Sequence, residues 1–498
     1  MLLDRIFPPK IRPYLWFLLF GYLVVLVVQR FDLLTVWRNV VMPDGRAVSL
    51  PNGWYTVDHP FHISRAHSLI EAIRAGDLLR WFGEHQGGYP AEFYPTGAAW
   101  LDAFLWAATL GQLPIEVVHK LLIALIVVAP TFIYFWWVRR DRISPGVAAL
   151  AGAGHIVIAG EWWSGGWTEI VLWGLVTNVA AQTAILGAVC GVLGWLKSGR
   201  ARDLGFAVLF AGLALGTNPR TALGLVAVGI AAVIVAAMPP DSASIAQIAK
   251  RGVVLVALSF AAAGPVLISL IRFRDLYYFV HYSGYSDLTA WWASSKTALW
   301  EPLFWLALIG VGTGLIRGAR PIVRTVALTA VIYMGATAAM VASGAAMFDQ
   351  LELTRLMPFQ RMLFFFLAAI AVHDLIDFAI LAGKRLAGHV IPAIGTSLER
   401  PWICVVLGAL TIALVYVVVL RPASWVPEEQ RGLRTMGTSA QAATQDFSDA
   451  VRLADDAAPD GTAVLVLGSV LSWHQPLSAP RTTQIHGRSS DVPSAGFA

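Results

Sequence analysis

The sequence has few charged residues and almost no cysteine. Charged side chains make up 13% of the 498 residues, whereas 57% are hydrophobic and the mean hydropathy is +0.65. This balance excludes an ordinary soluble protein and predicts many membrane spans, because each span needs about 20 mostly apolar residues. The two cysteines, Cys190 and Cys404, lie in apolar runs, so neither a disulfide framework nor a cysteine-based metal site is predicted.

The apolar runs also lack the period-two alternation of membrane β-strands, and this lack excludes an outer-membrane barrel. The net charge of +5 comes from basic residues scattered over short loops between apolar runs. Such scattering is typical of cytoplasmic loops in membrane proteins, so no nucleic-acid partner is predicted. The predicted fold class is an all-α polytopic membrane protein with about 11–13 transmembrane helices.

Twelve apolar segments can be placed along the chain. They lie at 13–30, 93–111, 119–138, 144–160, 166–196, 204–218, 221–238, 252–271, 302–316, 321–345, 362–382 and 402–420. Basic loops at 197–202, 250–251, 317–320 and 384–385 alternate with loops of another character, so we place the basic loops inside. The first segment has a basic start and no small-residue cleavage site, so it is predicted to be a retained anchor.

An inside N-terminus and an outside C-terminus require an odd number of crossings, which twelve segments do not give. Either 144–196 forms three short helices, with breaks at 160–166 and at Thr177-Asn178, or segment 93–111 is re-entrant. The first arrangement puts the basic loop 139–142 outside, against the charge rule. The residues alone leave both arrangements open.

We expect two domains, a transmembrane domain at 1–421 and an extracytoplasmic segment at 422–498. The second is rich in acidic residues, Ser and Thr, with a strand predicted at 463–467, and it closes no obvious fold. It is expected to be either a disordered tail or the start of a longer outer domain. Within the first domain, the first outer loop, 31–93, contains an amphipathic run at 64–82 that predicts a helix in the plane of the membrane interface.

Asp58 is the main candidate for chemistry. It precedes His59, Pro60 and His62 in the first outer loop. A carboxylate beside a membrane core is costly unless it is hydrated, paired or functional, and a general base requires such a group in a partly dry pocket. The alternative is a helix cap at the start of the helix near Pro60. A divalent metal held by Asp58 and His62, with Glu92 or Glu161 as a further ligand, is a third use of these residues, although no cofactor is required.

Arginines near the predicted outer ends of helices form the second group of candidates. A guanidinium binds phosphate through a fixed fork of donors, so arginines in a membrane-facing cavity indicate a phospholipid-like ligand. Internal ion pairs, for instance between Arg355 and Glu352, are the alternative. The predicted substrate-binding residues are His59, His62, Tyr94, Glu161, Arg220, Arg272, Arg274, His281, Arg355 and Arg361.

The arrangement of these parts resembles the GT-C superfamily of membrane glycosyltransferases. The shared features are an anchor helix, an outer loop with Asp58-His59-Pro60-Phe61-His62, the turns Gly88-Tyr89-Pro90 and Phe93-Tyr94-Pro95, and the stretches Asn218-Pro219-Arg220 and Pro358-Phe359-Gln360-Arg361. Within the superfamily the chain is similar to bacterial membrane proteins related to 6-pyruvoyl-tetrahydropterin synthase and to actinobacterial arabinofuranosyltransferases. Many members have a pair of acids in the loop where this chain has Asp58 followed by His59.

The resemblance implies an inverting glycosyltransferase with Asp58 as catalytic base. It implies a polyprenyl-phosphate sugar as donor, a cell-envelope glycan or lipid as acceptor, and contact with membrane lipids. The expected location is the bacterial inner (plasma) membrane, with several passes and the active site on the extracytoplasmic side. A transporter or flippase of a lipid-linked sugar is the alternative function, although no repeat relates the two halves of the chain.

Overall fold

The structure of the protein is a computed structural model. It describes residues 21–28, 31–390, 449–450, 453, 463–464 and 483–484, with gaps at 26, 43, 55–57, 78–80, 83–88, 91–94, 159, 161–163, 167, 240–241, 273–284, 317–319, 346–347 and 349–350. The predicted spans at 402–420 and most of 13–30 therefore lie outside the described residues, as does nearly all of 422–498.

The described chain is almost entirely helical. Its α-helices are α1 (His59–Arg74), α2 (Gly97–Ala108), α3 (Ile115–Arg140), α4 (Pro145–Val157), α5 (Val176–Ser198), α6 (Ala201–Thr217), α7 (Ala222–Ala237), α8 (Ile245–Arg272), α9 (Leu288–Thr297), α10 (Glu301–Ile316), α11 (Pro321–Ser343) and α12 (Met357–Val390). A π-helical turn, Thr168–Leu172, and two 3₁₀ turns, Pro219–Thr221 and Leu353–Leu356, lie at helix junctions.

The strands are short and form three two-stranded sheets. An antiparallel hairpin joins β1 (Trp37–Val41) to β2 (Ala47–Pro51), with Asn39 opposite Ser49. A second antiparallel pair joins β3 (Trp81–Phe82) to β4 (Tyr89–Pro90), and a parallel pair joins β5 (Ala463–Val464) to β6 (Thr483–Gln484). The strand β5 coincides with the first two residues of the strand predicted at 463–467.

Six helical segments in the described residues are long and apolar enough to cross a membrane, or seven if the bent pair α9 and α10 counts as one span. The polytopic all-α fold predicted from the sequence is thereby confirmed. Helices α5 and α12 form the centre, because most of their apolar residues are buried against neighbouring helices, whereas α8 leaves most of its apolar face exposed. An exposed apolar face on a helix of this kind is suited to contact with lipid.

Polar contacts at one end of the bundle resolve the crossing problem left open by the sequence. Arg140, at the end of α3, pairs with Asp203 in the first turn of α6 at 2.7 Å. Asp141 accepts hydrogen bonds from the backbone N–H groups of Ile322 (3.1 Å) and Val323 (2.9 Å) at the start of α11. The basic loop 139–142 therefore lies at the same end as loop 197–202, and the arrangement that separates them is wrong.

Helix α2 supports the re-entrant alternative. It has twelve residues and a length of about 18 Å at 1.5 Å per residue, too short for a hydrocarbon core about 30 Å thick. The break predicted at Thr177-Asn178 is also wrong, because both residues lie in the first turn of α5. The chain breaks instead over 158–175, around the π-helical turn.

The helix predicted over 64–82 begins earlier, ends earlier and is more buried than expected. Helix α1 runs from His59 to Arg74, and its residues Ile63, Ala66, Leu69 and Ile70 pack against α2 and α3. Its first three turns are buried on nearly all sides, and only the last turn is exposed. These turns therefore lack the solvated polar face of an amphipathic interfacial helix, and the position of α1 in the interface plane stays a prediction.

Candidate functional site

Asp58 occupies the N-cap position of α1, with Pro60 in the first turn, but its side chain makes no capping hydrogen bond. The turn is held by its backbone: the Asp58 N–H donates to the carbonyl oxygen of Trp173 at 3.3 Å, and the Asp58 carbonyl accepts from His62 N–H at 3.2 Å. Asp58 is partly buried. Its negative charge acts on the guanidinium of Arg355, more weakly than the charges of Glu352 and Glu169 do.

Gly174 packs directly against this turn. Its φ of +72° is in the left-handed region, where residues with a side chain are strained. A Cβ atom at this position would lie 2.8 Å from the backbone nitrogen of His59 and 3.2 Å from Cβ of Asp58. Glycine therefore allows the segment that follows the π-helical turn to approach the start of α1.

Two of the predicted arginines meet on one carboxylate. Glu352 accepts from Arg355 Nε at 3.0 Å and from an Arg220 terminal nitrogen at 3.1 Å. Arg220 is placed by Asn218, whose side-chain oxygen accepts the Arg220 backbone N–H and caps the 3₁₀ turn Pro219–Thr221. The sequence alternative of an internal pair between Arg355 and Glu352 is thus observed, and a bound phosphate would share these cations with Glu352.

Glu169 is a buried carboxylate that lies within range of the charge on Arg355. It is fully buried in the π-helical turn; Oε1 accepts from Asn178 Nδ2 at 2.9 Å and Oε2 accepts from the N–H of Gly165. Burial raises the pKa of Glu169 to about 7, against the opposing effects of these hydrogen bonds and of the charges on Arg355 and Arg361. Glu169 is therefore ready to change its protonation near neutral pH.

Two asparagines join the elements of the site. Asn178 donates to the Arg355 carbonyl oxygen at 3.0 Å as well as to Glu169, and its own side-chain oxygen accepts from Asn218 at 3.2 Å. The start of α5, the 3₁₀ turn after α6 and the start of α12 are thereby tied together. We call Asp58, Glu169, Arg220, Glu352 and Arg355 the junction cluster. It lies at the end of the bundle opposite the contacts of Arg140 and Asp141.

Sequence reasoning did not select Glu169, Asn178 or Glu352 as site residues. Glu169 carried a usable signal, because it is an acid beside glycines in an otherwise apolar stretch, and such acids usually face a cavity or a partner. The asparagines carried none, since a single polar residue at a helix start is ordinarily a local cap.

Arg361 differs from the other arginines. It is completely buried, and it donates to Ser164 Oγ at 3.2 Å and to the carbonyl oxygen of Ile158. These contacts fix the irregular segment after α4 to α12. The structure therefore gives Arg361 a role in packing, and the expectation that it contacts a substrate phosphate is not supported.

His59 and His62 are also buried. Both nitrogens of His59 have partners, His119 Nε2 at 3.1 Å and the Val171 carbonyl oxygen at 2.7 Å. Their predicted contact with substrate is not supported, because neither ring is accessible. Within the described residues, no group of three or more His, Cys, Asp or Glu side chains could hold a metal ion, so Asp58 and His62 lack further described ligands.

The remaining candidates are not joined to the junction cluster by the described contacts. Arg272 is exposed at the end of α8. Tyr94, Glu161, Arg274 and His281 lie outside the described residues, as does the suggested metal ligand Glu92.

Solved structures resemble this chain along nearly its whole length. ArnT from Cupriavidus metallidurans bound to undecaprenyl phosphate aligns with a TM-score of 0.52 and 15% identity, covering 95% of this chain and 86% of ArnT. The oligosaccharyltransferase AglB from Archaeoglobus fulgidus, in complex with an inhibitory peptide and a dolichol-phosphate, aligns with a TM-score of 0.49 and 12% identity over 96% of this chain. This chain spans 65% of the length of AglB. No family model and no curated protein matches the sequence.

At these identities the likeness shows the fold alone. The alignment with ArnT covers most of both chains, so the two proteins share a fold.

Proposed function

We propose that this protein is an inverting membrane glycosyltransferase. It moves a sugar from a polyprenyl-phosphate carrier to a glycan or lipid acceptor of the cell envelope. The observation that carries the proposal is the junction cluster, where Arg355 contacts Glu352 at 3.0 Å and Arg220 contacts it at 3.1 Å, within range of the Asp58 charge. The cluster lies in a fold shared with ArnT, which has been crystallised with undecaprenyl phosphate.

In the proposed reaction, Asp58 accepts the proton of the acceptor hydroxyl as its oxygen attacks the anomeric carbon. The bond between that carbon and the phosphate oxygen breaks, and its electron pair leaves with the carrier phosphate. A single displacement inverts the anomeric centre. The base must be partly dry and close to its substrate. The partial burial of Asp58 meets the first of these requirements.

The departing phosphate gains one negative charge, and Arg220 and Arg355 are the residues that we propose to stabilise it. Each guanidinium has five N–H donors, more than one carboxylate can accept. Fixed cations act most strongly where charge develops in a site with little water. Glu352 holds both guanidinium groups in place before the carrier arrives.

We place the site on the extracytoplasmic face of the plasma membrane. The loops 197–202 and 250–251 are basic, and Arg251 donates to the carbonyl oxygens of Leu196 (2.7 Å) and Lys197 (2.9 Å) at the end of the bundle opposite the junction cluster. Basic loops favour the cytoplasmic side. A lipid donor could enter sideways between helices at the other face.

The proposal is tested with purified protein, labelled polyprenyl-phosphate hexoses and pentoses, and an extract of envelope lipids and glycans. Free polyprenyl phosphate and a labelled glycoside should both form. Asp58→Asn should slow their formation at least about a hundredfold, because it removes the base. Asp77→Asn, at an exposed position three residues after the end of α1, is the control and should keep wild-type rates.

Wild-type rates in Asp58→Asn would refute its role as base. Movement of the labelled lipid across a vesicle membrane without formation of a glycoside would select the transporter reading instead.

A further inference from the structure

Four buried groups form a continuous line behind Asp58. Asp102 Oδ2 lies 2.9 Å from His119 Nδ1, His119 Nε2 lies 3.1 Å from His59 Nδ1, and His59 Nε2 lies 2.7 Å from the Val171 carbonyl oxygen. The three side chains come from α2, α3 and α1, and all are essentially inaccessible to solvent. The line ends between His59, which follows Asp58, and the π-helical turn that contains Glu169.

Hydrogen-bond accounting fixes the protons along this line. The Val171 carbonyl can only accept, so His59 Nε2 must carry a hydrogen. A neutral His59 then accepts at Nδ1, which requires a hydrogen on His119 Nε2. One further proton is shared between His119 Nδ1 and Asp102 Oδ2.

The other oxygen of Asp102 indicates where that proton lies. Asp102 Oδ1 is buried and has no hydrogen-bond partner among the described residues. An unpaired oxygen is less costly on a neutral carboxyl group than on a buried carboxylate. Burial raises the pKa of Asp102 and lowers the pKa of His59 to about 3, in agreement with a neutral line that donates in one direction from Asp102 to Val171.

On the basis of the proposed function, we propose that Asp102 and His119 are positioning residues. A neutral Asp102 donates a hydrogen bond to His119, and His119 thereby fixes the hydrogen of His59 on Nε2. The hydrogen bond from His59 to Val171 then holds the Asp58 turn against the π-helical turn. Loss of the His119 donor leaves His59 free to place its hydrogen on Nδ1. The unprotonated Nε2 of His59 would then lie against the Val171 carbonyl oxygen. That contact is repulsive, so the start of α1 would move relative to Glu169.

The test uses paired substitutions that keep or remove a donor at the same place. His119→Gln keeps an amide N–H near His59, whereas His119→Leu removes it. Asp102→Asn replaces the donating O–H with a donating N–H, whereas Asp102→Leu removes it. In the assay for release of polyprenyl phosphate, each leucine variant should lower kcat at least about tenfold at similar donor KM, as expected for a small displacement of a reacting group. Each amide variant should restore most of that loss.

Nitrogen-15 spectra of histidine-labelled full-length protein in detergent provide a readout that is independent of activity. The signals of His59 and His119 are assigned by their disappearance in His59→Asn and His119→Gln. At neutral pH both rings should be neutral with the hydrogen on Nε2. His119→Leu should shift His59 toward the Nδ1–H form.

A charged His119 ring would refute the assignment of neutral groups from Asp102 to Val171. An Asp102→Asn variant whose kcat is as low as that of Asp102→Leu would refute it as well. Leucine variants with wild-type kcat, or amide variants that lose as much kcat as the leucine variants, would overturn the positioning role. A wild-type protein without transfer would instead refute the proposed function, and the spectrum would still confirm or refute the proton assignment.

Discussion

Replacement of Glu352 by Gln tests whether the arginines of the junction cluster bind the carrier phosphate. Glu352 lies 3.0 Å from Arg355 and 3.1 Å from Arg220. A phosphate bound to the same guanidinium groups would be repelled by the negative charge of Glu352. Two unit charges about 6 Å apart interact by roughly 0.7 kcal/mol at a dielectric constant of 80 and roughly 3 kcal/mol at 20. The side chains are 20% to 25% exposed, so neither limit applies fully.

We therefore expect Glu352→Gln to bind polyprenyl phosphate about tenfold more tightly, which corresponds to about 1.4 kcal/mol. The same change should cost about 1 to 2 kcal/mol in stability, between the values for exposed and for buried ion pairs. The assay is equilibrium binding of labelled undecaprenyl phosphate to the protein in detergent, with the uncharged polyprenol as ligand control and melting temperature as a check on folding.

Glu71→Gln is the matched protein control. Glu71 forms a comparable pair with Arg74, three residues along the same helix, at 2.6 Å and away from the junction cluster. Its loss should leave the affinity within twofold of wild type. If the folded Glu352→Gln protein binds the phosphate no more tightly than the Glu71→Gln protein, Arg220 and Arg355 are not its ligands.

Three further predictions concern glycine packing and one buried acid. Gly174→Ala should reduce the rate of sugar transfer at least about tenfold, because the new methyl group displaces the start of α1. Gly76→Ala is the control: its φ of +73° is similar but the space around it is open, so it should show only backbone strain of about 1 kcal/mol. Glu169 has a raised pKa of about 7, so its contribution to stability is complete below about pH 4.5 and is lost as the pH rises through 7. The melting temperature should therefore fall more between pH 5 and 8 in wild type than in Glu169→Gln. Equal falls in the two proteins would contradict this prediction. Gly310→Ala should lower the free energy of unfolding by about 1 to 3 kcal/mol, because its methyl group meets the backbone of α12. Gly312→Ala in the same helix meets nothing within 4 Å and should raise the free energy of unfolding by up to about 1 kcal/mol, because alanine favours a helix more than glycine does.

The helical membrane fold could be predicted because its signal is carried by composition. Runs of apolar residues define spans without reference to partners, and the breaks near 160–166 and 216–221 were visible as glycine and Asn-Pro sequences. The sequence alone leaves the crossing number open because 93–111 and 144–160 are apolar but short. Pairing of Arg140 with Asp203 at one end of the bundle, which no local pattern reports, decides between the arrangements.

The site was predicted only in outline for a related reason. Asp58 and the arginines were selected by residue type, and type does not show which charges meet. Glu352 could be suggested as a partner of Arg355 because the two are three residues apart, but its second contact, with Arg220, crosses more than a hundred residues of sequence. Residue type and position predict substrate contacts for the histidines beside Asp58. Their neighbours in space, Asp102 and His119, are distant in sequence, so no local pattern indicates that the histidines are buried.

A structure of the protein with a non-cleavable phosphonate analogue of a polyprenyl-phosphate sugar would show whether the carrier phosphate binds at the junction cluster. We predict that the phosphonate oxygens lie within hydrogen-bond distance of Arg220 or Arg355, with the anomeric carbon turned toward the Asp58 carboxylate. A phosphonate bound elsewhere on the bundle, with Asp58 in contact with neither the sugar nor the acceptor position, would contradict the account.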